Sequence, residues 1–166
     1  ILNKKYPIEW IKLNNVDNSK DDLRHKGYNQ GAAIFARPEG MWYFNDFIYF
    51  TCTSGGEKQL GQIWKYNISE NYIELIFESK NTNIMELCDN LTVSPWGDII
   101  ICEDGMGRDR LIGVREDGTT YIIAENILNR SEFAGANFSP DGNILFVNIF
   151  SPTMTLAITG DWKSLQ

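Results

Sequence analysis

The sequence is short of positive charge. It carries 15 lysines and arginines against 22 aspartates and glutamates, a formal net charge of −7. A nucleic-acid partner would need the reverse, a basic face for its phosphates. The surplus of carboxylates suits a soluble protein able to hold cations. Histidine is nearly absent: His25 stands alone in a polar stretch near Asp21 and Asp22. It reads as part of a solvated charge cluster and leaves no convincing Ser-His-Asp set. Cys52, Cys88 and Cys102 are the only cysteines, with no CxxC spacing and no Cys/His cluster. That argues against zinc, and an odd count cannot pair fully within the chain. Cys52 and Cys102 lie in the apolar runs IYFTCTS and DIIICEDG, where buried structural thiols are expected. No apolar run approaches the roughly 18–20 residues of a membrane span. The chain opens at Ile1 with no leader pattern, so a processed chain and an internal fragment are both open expectations. The segment GGEKQLG (55–61) lacks the Lys-Ser/Thr ending of a P-loop and reads as a loop.

What is present is aromatic, β-branched and punctuated by turns. Hydrophobic residues make up 43% and aromatics 13% of the chain, enough for one domain with a packed β core. Residues 1–30 are polar and irregular and read as a connecting arm. It has a short helical turn near Lys20–Arg24, with Tyr6 and Trp10 as candidate anchors. Residues 31–166 read as all-β. Strands are expected at 32–35, 40–44, 47–52, 61–66, 73–79, 91–94, 99–102, 111–115, 120–124, 136–139, 144–149 and 155–159. Asn45-Asp46, Pro95-Trp96-Gly97, Asp117-Gly118 and Pro140-Asp141-Gly142 supply the turn chemistry that hairpins require.

A weak repeat runs through this region. LTVSPWGDIIICED (91–104) is similar to ANFSPDGNILFVNI (136–149), and EGMWYFNDFIYFTCT (39–53) is a looser copy with a tighter turn. The copies start about 45 to 50 residues apart, near the length of a four-stranded propeller blade. The first two units in chain order also carry an outer pair of strands, in GQIWKYNISENYIELIFES and RLIGVREDGTTYIIAEN. The expectation is a partial β-propeller of two full blades and the inner part of a third. Because propellers close with about four to eight blades, the rest would come from further sequence or a partner chain that closes the open sheet edges.

In such a fold the ends of successive inner strands meet at one mouth of the channel. Glu39 precedes the first inner strand, Asp89 and Asn90 the second, and Glu132 the third, while Glu103 and Asp104 end the hairpin partner of the second. Converging carboxylates repel one another unless a cation lies between them. Hard oxygen donors of this kind suit Ca²⁺. The alternative at each acid is an ordinary turn cap. Arg37 stands two residues before Glu39, so on extended backbone both side chains face one side. The Glu would then serve a metal and the planar guanidinium an anion such as phosphate. A local ion pair within the strand is the competing reading. Asn67-Ile68-Ser69, Asn90-Leu91-Thr92 and Asn129-Arg130-Ser131 match the glycosylation pattern, which is common by chance.

Several segments, in order, resemble the C-terminal half of PhoX-type alkaline phosphatases. They are ARPEGMW (36–42), YFTCTSGG (49–56), GQIWKY (61–66), DNLTVSP (89–95), CEDG (102–105), SEFAGANFSPDG (131–142), LFVNI (145–149) and AITGDW (157–162). The resemblance implies a six-bladed propeller-like fold and a secreted or periplasmic phosphomonoesterase with calcium and iron at one mouth of the channel. By motif, Arg37 matches a phosphate-contacting arginine and Glu39 a metal-bridging glutamate. Asn90, Glu103 and Glu132 fall in motifs expected to contribute to the calcium-rich site. The family's further ligands, including a cysteine thiolate for iron, belong to its N-terminal half, so none of the three cysteines here takes that role. Two other readings stay open. One is a non-catalytic scaffold or interaction subunit. The other is a calcium-dependent lactonase-like propeller, whose catalytic histidine has no clear counterpart here.

Overall fold

The computed structural model describes residues 1–17 and 19–165. Among the described residues, twelve strands and one short α-helix follow one another. They are β1 (Lys5–Pro7), α1 (Leu23–Asn29), β2 (Pro38–Phe44), β3 (Phe47–Cys52), β4 (Gln62–Asn67), β5 (Tyr72–Glu78), β6 (Cys88–Val93), β7 (Ile99–Glu103), β8 (Arg110–Val114), β9 (Thr120–Glu125), β10 (Phe133–Phe138), β11 (Ile144–Ile149) and β12 (Met154–Thr159). A 3-10 turn, Trp162–Leu165, follows β12. The strands form three antiparallel sheets, ordered β1-β5-β4-β3-β2, β6-β7-β8-β9 and β10-β11-β12, with no closed barrel.

The burial pattern explains why the middle sheet has the most apolar strands. In β7, Ile99 to Glu103 are all buried. Ile99 and Ile101 join the core shared with the first sheet, through Ile63, Phe77 and Met85. Ile100 and Cys102 turn the other way, onto Phe133, Leu145, Val147 and Ile149 of the third sheet. A strand covered on both faces needs apolar residues at every position, whereas one covered on a single face alternates. β11 alternates in this way, with Leu145, Val147 and Ile149 buried and Phe146 exposed. Each fully buried Ile or Leu contributes about 1.5–3 kcal/mol of transfer free energy.

Hairpin chemistry fixes the strand register. Asn45 and Asp46 both adopt positive φ, at 47° and 66°. Phe44 pairs with Phe47 across them, the two-residue turn that the local sequence calls for. The first strands of the three sheets converge, with β2 against β6 and β6 against β10.

Three expectations change. Residues 32–35 form no strand. Phe35 instead packs its ring edge-on against Phe50 and Trp64, at 5.1 and 5.5 Å, so its apolar signal reports an anchor and not a ladder. The arm is not wholly irregular: Lys5–Pro7 pairs with β5 as the outermost strand of the first sheet. Pro7 is tolerated there because an edge strand can dispense with one N–H. Trp10 meets Tyr66 edge-on at 5.7 Å and does anchor the arm. The helical turn lies a little later than expected, at Leu23–Asn29.

Candidate functional site

The three inner strands share a feature that residue types did not advertise. Each carries a bulge near its start. In β2 the shift falls between Pro38 and Met41, so Glu39 and Gly40 together face Thr51. In β6 it falls between Cys88 and Asn90, leaving Asp89 as the extra residue. In β10 it falls between Ala134 and Asn137. A bulge bends its strand and re-aims a side chain, which is why bulges collect beside functional sites. Here they turn the starts of three neighbouring strands toward one mouth.

Two polar links hold the strands in that arrangement. Gly40 N–H donates to Thr51 Oγ1 at 2.9 Å, and the Thr51 hydroxyl donates to the carbonyl of Asp89 at 2.6 Å. The approach is close: a Cβ on Gly40 would lie 2.6 Å from the Asp89 carbonyl oxygen and 2.9 Å from Leu91 N. On the other flank, Gly135 N–H donates to Asn90 Oδ1 at 3.2 Å, tying β6 to β10.

The acids gather on this frame. Arg37, at φ 50°, donates to Glu39 Oε1 from Nε at 3.2 Å and Nη2 at 3.0 Å. The same Nη2 lies 3.7 Å from Asp104 Oδ2. Thr53 donates its hydroxyl to Glu39 Oε2 at 3.1 Å. Glu39 and Asp89 interact carboxyl to carboxyl and shift each other in opposite directions. Burial first, then the bond to Glu39 and the charges of Glu39, Glu132 and Asp104, push Asp89 up to about 7. Glu39 keeps the charge: the proton offered by Asp89, together with Thr53 and Arg37, holds it below its ordinary value. Glu132 is raised by its own burial and by Asp104 and Glu39. Four carboxyl groups from three sheets thus feel one another, with one guanidinium among them.

The sequence-derived candidates fare differently. Arg37, Glu39 and Glu132 lie in this group, as do Asp89 and Asp104. Asn90 stands beside it with its amide oxygen engaged by Gly135. Glu103 is drawn elsewhere. Its side chain is 2% exposed, and Arg110 grips it with Nε at 2.6 Å and Nη2 at 2.7 Å. The Glu86 and Arg110 backbone N–H groups donate to the same carboxylate. Arg110 also donates to the carbonyls of Thr82 and Asn83, so this ion pair pins the loop before β6 to the β7–β8 hairpin. Nothing in the sequence distinguished Glu103 from its neighbour Asp104. The side each faces depends on Arg110, seven residues away.

His25 lies on α1 in the arm and joins none of these contacts. All three cysteines are free and buried. Burial pushes their thiols up, to about 11 for Cys52 and about 12 for Cys88 and Cys102, so they are protonated and inert. Asn67 is buried, and the side chain of Asn129 is bonded to Asn126, Ser131 and Ser151, so neither presents a free amide. Among the described residues no three His, Cys, Asp or Glu side chains stand close enough to enclose a metal ion unaided.

A cavity of about 590 Å³ adjoins the acids, lined by Asp104, Arg130, Glu132, Phe150 and Pro152 among others. A second, of about 610 Å³, lies between the first two sheets at the far ends of the same strands, beside Phe44, Asn45 and Trp96. It is slightly larger, yet none of the gathered acids lines it. Of the two, only the first is bordered by Asp104 and Glu132.

The family model described as Alkaline phosphatase PhoX matches residues 3–153. No curated protein matches the chain. Among solved structures, the chain is similar to Pseudomonas fluorescens PhoX in complex with vanadate, a transition state analogue. The TM-score is 0.66 at 20% identity, over 83% of this chain and 36% of that one. That likeness is one of fold, consistent with a propeller-like arrangement of the three sheets, and this chain spans about a third of that protein's length.

Proposed function

The chain belongs to the PhoX alkaline phosphatase family, and on that footing we propose that it forms part of a metal-dependent phosphomonoesterase. Its three sheets are three blades of a six-bladed propeller, with residues 1–30 as the arm and residues 31–166 as blades. The remaining blades come from further sequence or from a partner chain that covers the open edges. Export to the periplasm or the exterior accompanies this reading. Among the described residues no helix is long and apolar enough to cross a membrane.

The observation that carries the reading is the Arg37–Glu39 pair, held by Thr53 and set against Asp89 and Asp104. The donor types are those a hard cation takes, four carboxyls with an amide oxygen beside them, and Asp89 retains a proton to about pH 7 because burial, its bond to Glu39 and the neighbouring carboxylates disfavour its charge. Glu39, Asp89, Asp104 and Glu132 would each offer oxygens to calcium, completed by ligands from the remaining blades, since no three of them among the described residues enclose an ion unaided. Iron would need ligands beyond this chain, as the cysteines here are buried and protonated. Glu103, expected by motif among the metal residues, is engaged instead as the buried partner of Arg110. Bound cations would polarise the phosphoryl oxygens and activate the attacking oxygen. The chain's own contribution is positional. Arg37 has Nη1 free of any partner among the described residues, a donor to aim at a phosphoryl oxygen. Thr53 and the β2 bulge keep Glu39 turned into the mouth.

The second reading is a non-catalytic scaffold of the same family. The lack of a ready three-carboxylate cage favours it. Glu39→Gln in the complete protein separates the two. Turnover of a simple phosphate monoester should fall by about a hundredfold or more, with the thermal unfolding midpoint nearly unchanged because the Gln oxygen can still accept from Arg37 and its amide N–H can donate to the Thr53 hydroxyl. Unaltered turnover would remove Glu39 from the chemistry.

A further inference from the structure

The Arg-x-Glu spacing that opens β2 occurs a second time. Arg37-Pro38-Glu39 leads into the inner strand of the first sheet, and Arg130-Ser131-Glu132 leads into that of the third. Both glutamates belong to the acid group, and Asp104 lies between them, 3.7 Å from Arg37 and on the wall of the cavity that Arg130 lines. The two arginines differ in one respect. Arg37 folds back onto its own glutamate, whereas Arg130 is exposed and makes no ion pair with Glu132 or any other described acid.

The residues on either side of Arg130 are held by hydrogen bonds. Ser131 N–H donates to Asn129 Oδ1 at 2.8 Å, and the Ser131 carbonyl accepts from Asn126 Nδ2 at 2.6 Å. Across the cavity, Ser151 N–H donates to Ser131 Oγ at 2.7 Å, Asn129 Nδ2 donates to the Ser151 carbonyl at 2.9 Å, and Phe150 N–H donates to the Glu132 carbonyl at 3.1 Å. These bonds make one stiff wall from residues 129–132 and the 150–152 turn. The hollow is a shallow, open one with a fixed wall, and it gathers a free guanidinium, the 68% exposed ring of Phe150, Asp104 and Glu132. A planar fork of donors without an internal acceptor suits an oxyanion, and the neighbouring ring suits apolar surface.

We propose that Arg130 is a second anion-binding position of the mouth. It takes a further oxyanion on the organic part of the substrate, a carboxylate or a second phosphoryl group, while that organic part lies against Phe150. The inference rests on the phosphomonoester reading, because the scissile phosphoryl occupies the Arg37 side and cations must first offset Asp104 and Glu132. It names the substrate class: phosphate monoesters that carry a second negative group.

The test compares kcat/KM for phenyl phosphate, 4-carboxyphenyl phosphate and phenylene bisphosphate, using the complete metal-loaded protein and its Arg130→Gln and Arg130→Lys variants. The ratio of each doubly charged ester to phenyl phosphate should fall about tenfold in Arg130→Gln. Arg130→Lys should keep part of it, and the ester with the larger fall identifies the anion. A ratio that stays constant across the variants overturns the proposal. Hydrolysis of none of the three esters by the parent protein would refute the phosphatase reading instead. Calorimetric titration with benzoate and pyrophosphate then decides for Arg130: binding weakened by Arg130→Gln supports the anion position, and binding that is absent or insensitive to the variant removes it.

Discussion

At the residue scale, the mouth is governed by two carboxyls, Glu39 and Asp89, that shift each other in opposite directions. Asp89 holds its proton up to about pH 7, whereas in an unfolded chain it would release it near 3.8. The folded protein therefore binds the extra proton between those values, and stability falls as pH rises through that window. A cation at the mouth favours the ionised form and opposes this loss. The expected result is a thermal midpoint that declines from about pH 4 to about pH 7 without added metal. Asp89→Asn should flatten the decline. Millimolar calcium at pH 8 should raise the midpoint of the parent more than that of the variant. Unfolding scans over pH with and without chelator check both, and a midpoint that rises over the same window would contradict this account of Asp89. Glu103 shows the opposite fate for an acid of the same chemical type. Its carboxylate is neutralised by Arg110 and four hydrogen bonds, so it holds the loop geometry and has nothing left for a cation.

At the element scale, the three bulges and the Thr51 link do the aiming. Without the shift between Pro38 and Met41, Glu39 would point to the other face of β2, because a one-residue change in register reverses every side chain. Gly40 allows β2 to come within contact of Asp89 and Leu91. Gly40→Ala puts a Cβ 2.6 Å from a backbone carbonyl that cannot move independently. It should destabilise the fold by about 1–3 kcal/mol and lower calcium affinity through displacement of Glu39 from Asp89. Denaturant melts and calcium titration of the same variant read the two effects separately. Intact calcium affinity in a destabilised protein would mean that β2 is not what positions the acids.

At the scale of the whole molecule, the middle sheet is a layer shared by two cores, and the chain's end fastens its far side. Trp162 stacks on Trp96 at 6.0 Å and meets Phe138 edge-on at 5.6 Å, and its indole donates to the Asn143 carbonyl. Arg115 of the second sheet reaches the Leu165 carbonyl. This aromatic group joins the second and third sheets at the end opposite the acids. Trp162→Ala should cost about 2–3 kcal/mol and loosen β10–β12 ahead of the rest. Amide exchange in β11 and β12 should rise while β7 stays protected. Uniform loss of protection across all three sheets would show that they melt as one unit.

Much of this was present in the one-dimensional pattern. Alternation, turn residues and the repeated Ser-Pro-x-Gly segment determined an all-β chain, because side-chain period and backbone φ preference are local properties. The β3 and β11 boundaries, at Phe47–Cys52 and Ile144–Ile149, follow from sequence for that reason. The family membership was likewise carried by ordered short motifs. Other features were decided only in three dimensions. The edge strand Lys5–Pro7 has too few residues to show a period and exists because β5 offers it a partner. Phe35 has the composition of a strand residue, yet its place is set by two aromatic rings from other strands. The split between Glu103 and Asp104, adjacent acids with different partners, depends on where Arg110 and Arg37 fall after folding. Composition placed carboxylates at the ends of strands. Only tertiary packing chose which of them face one another, because charge–charge interaction depends on distance in space and a sequence records distance along the chain.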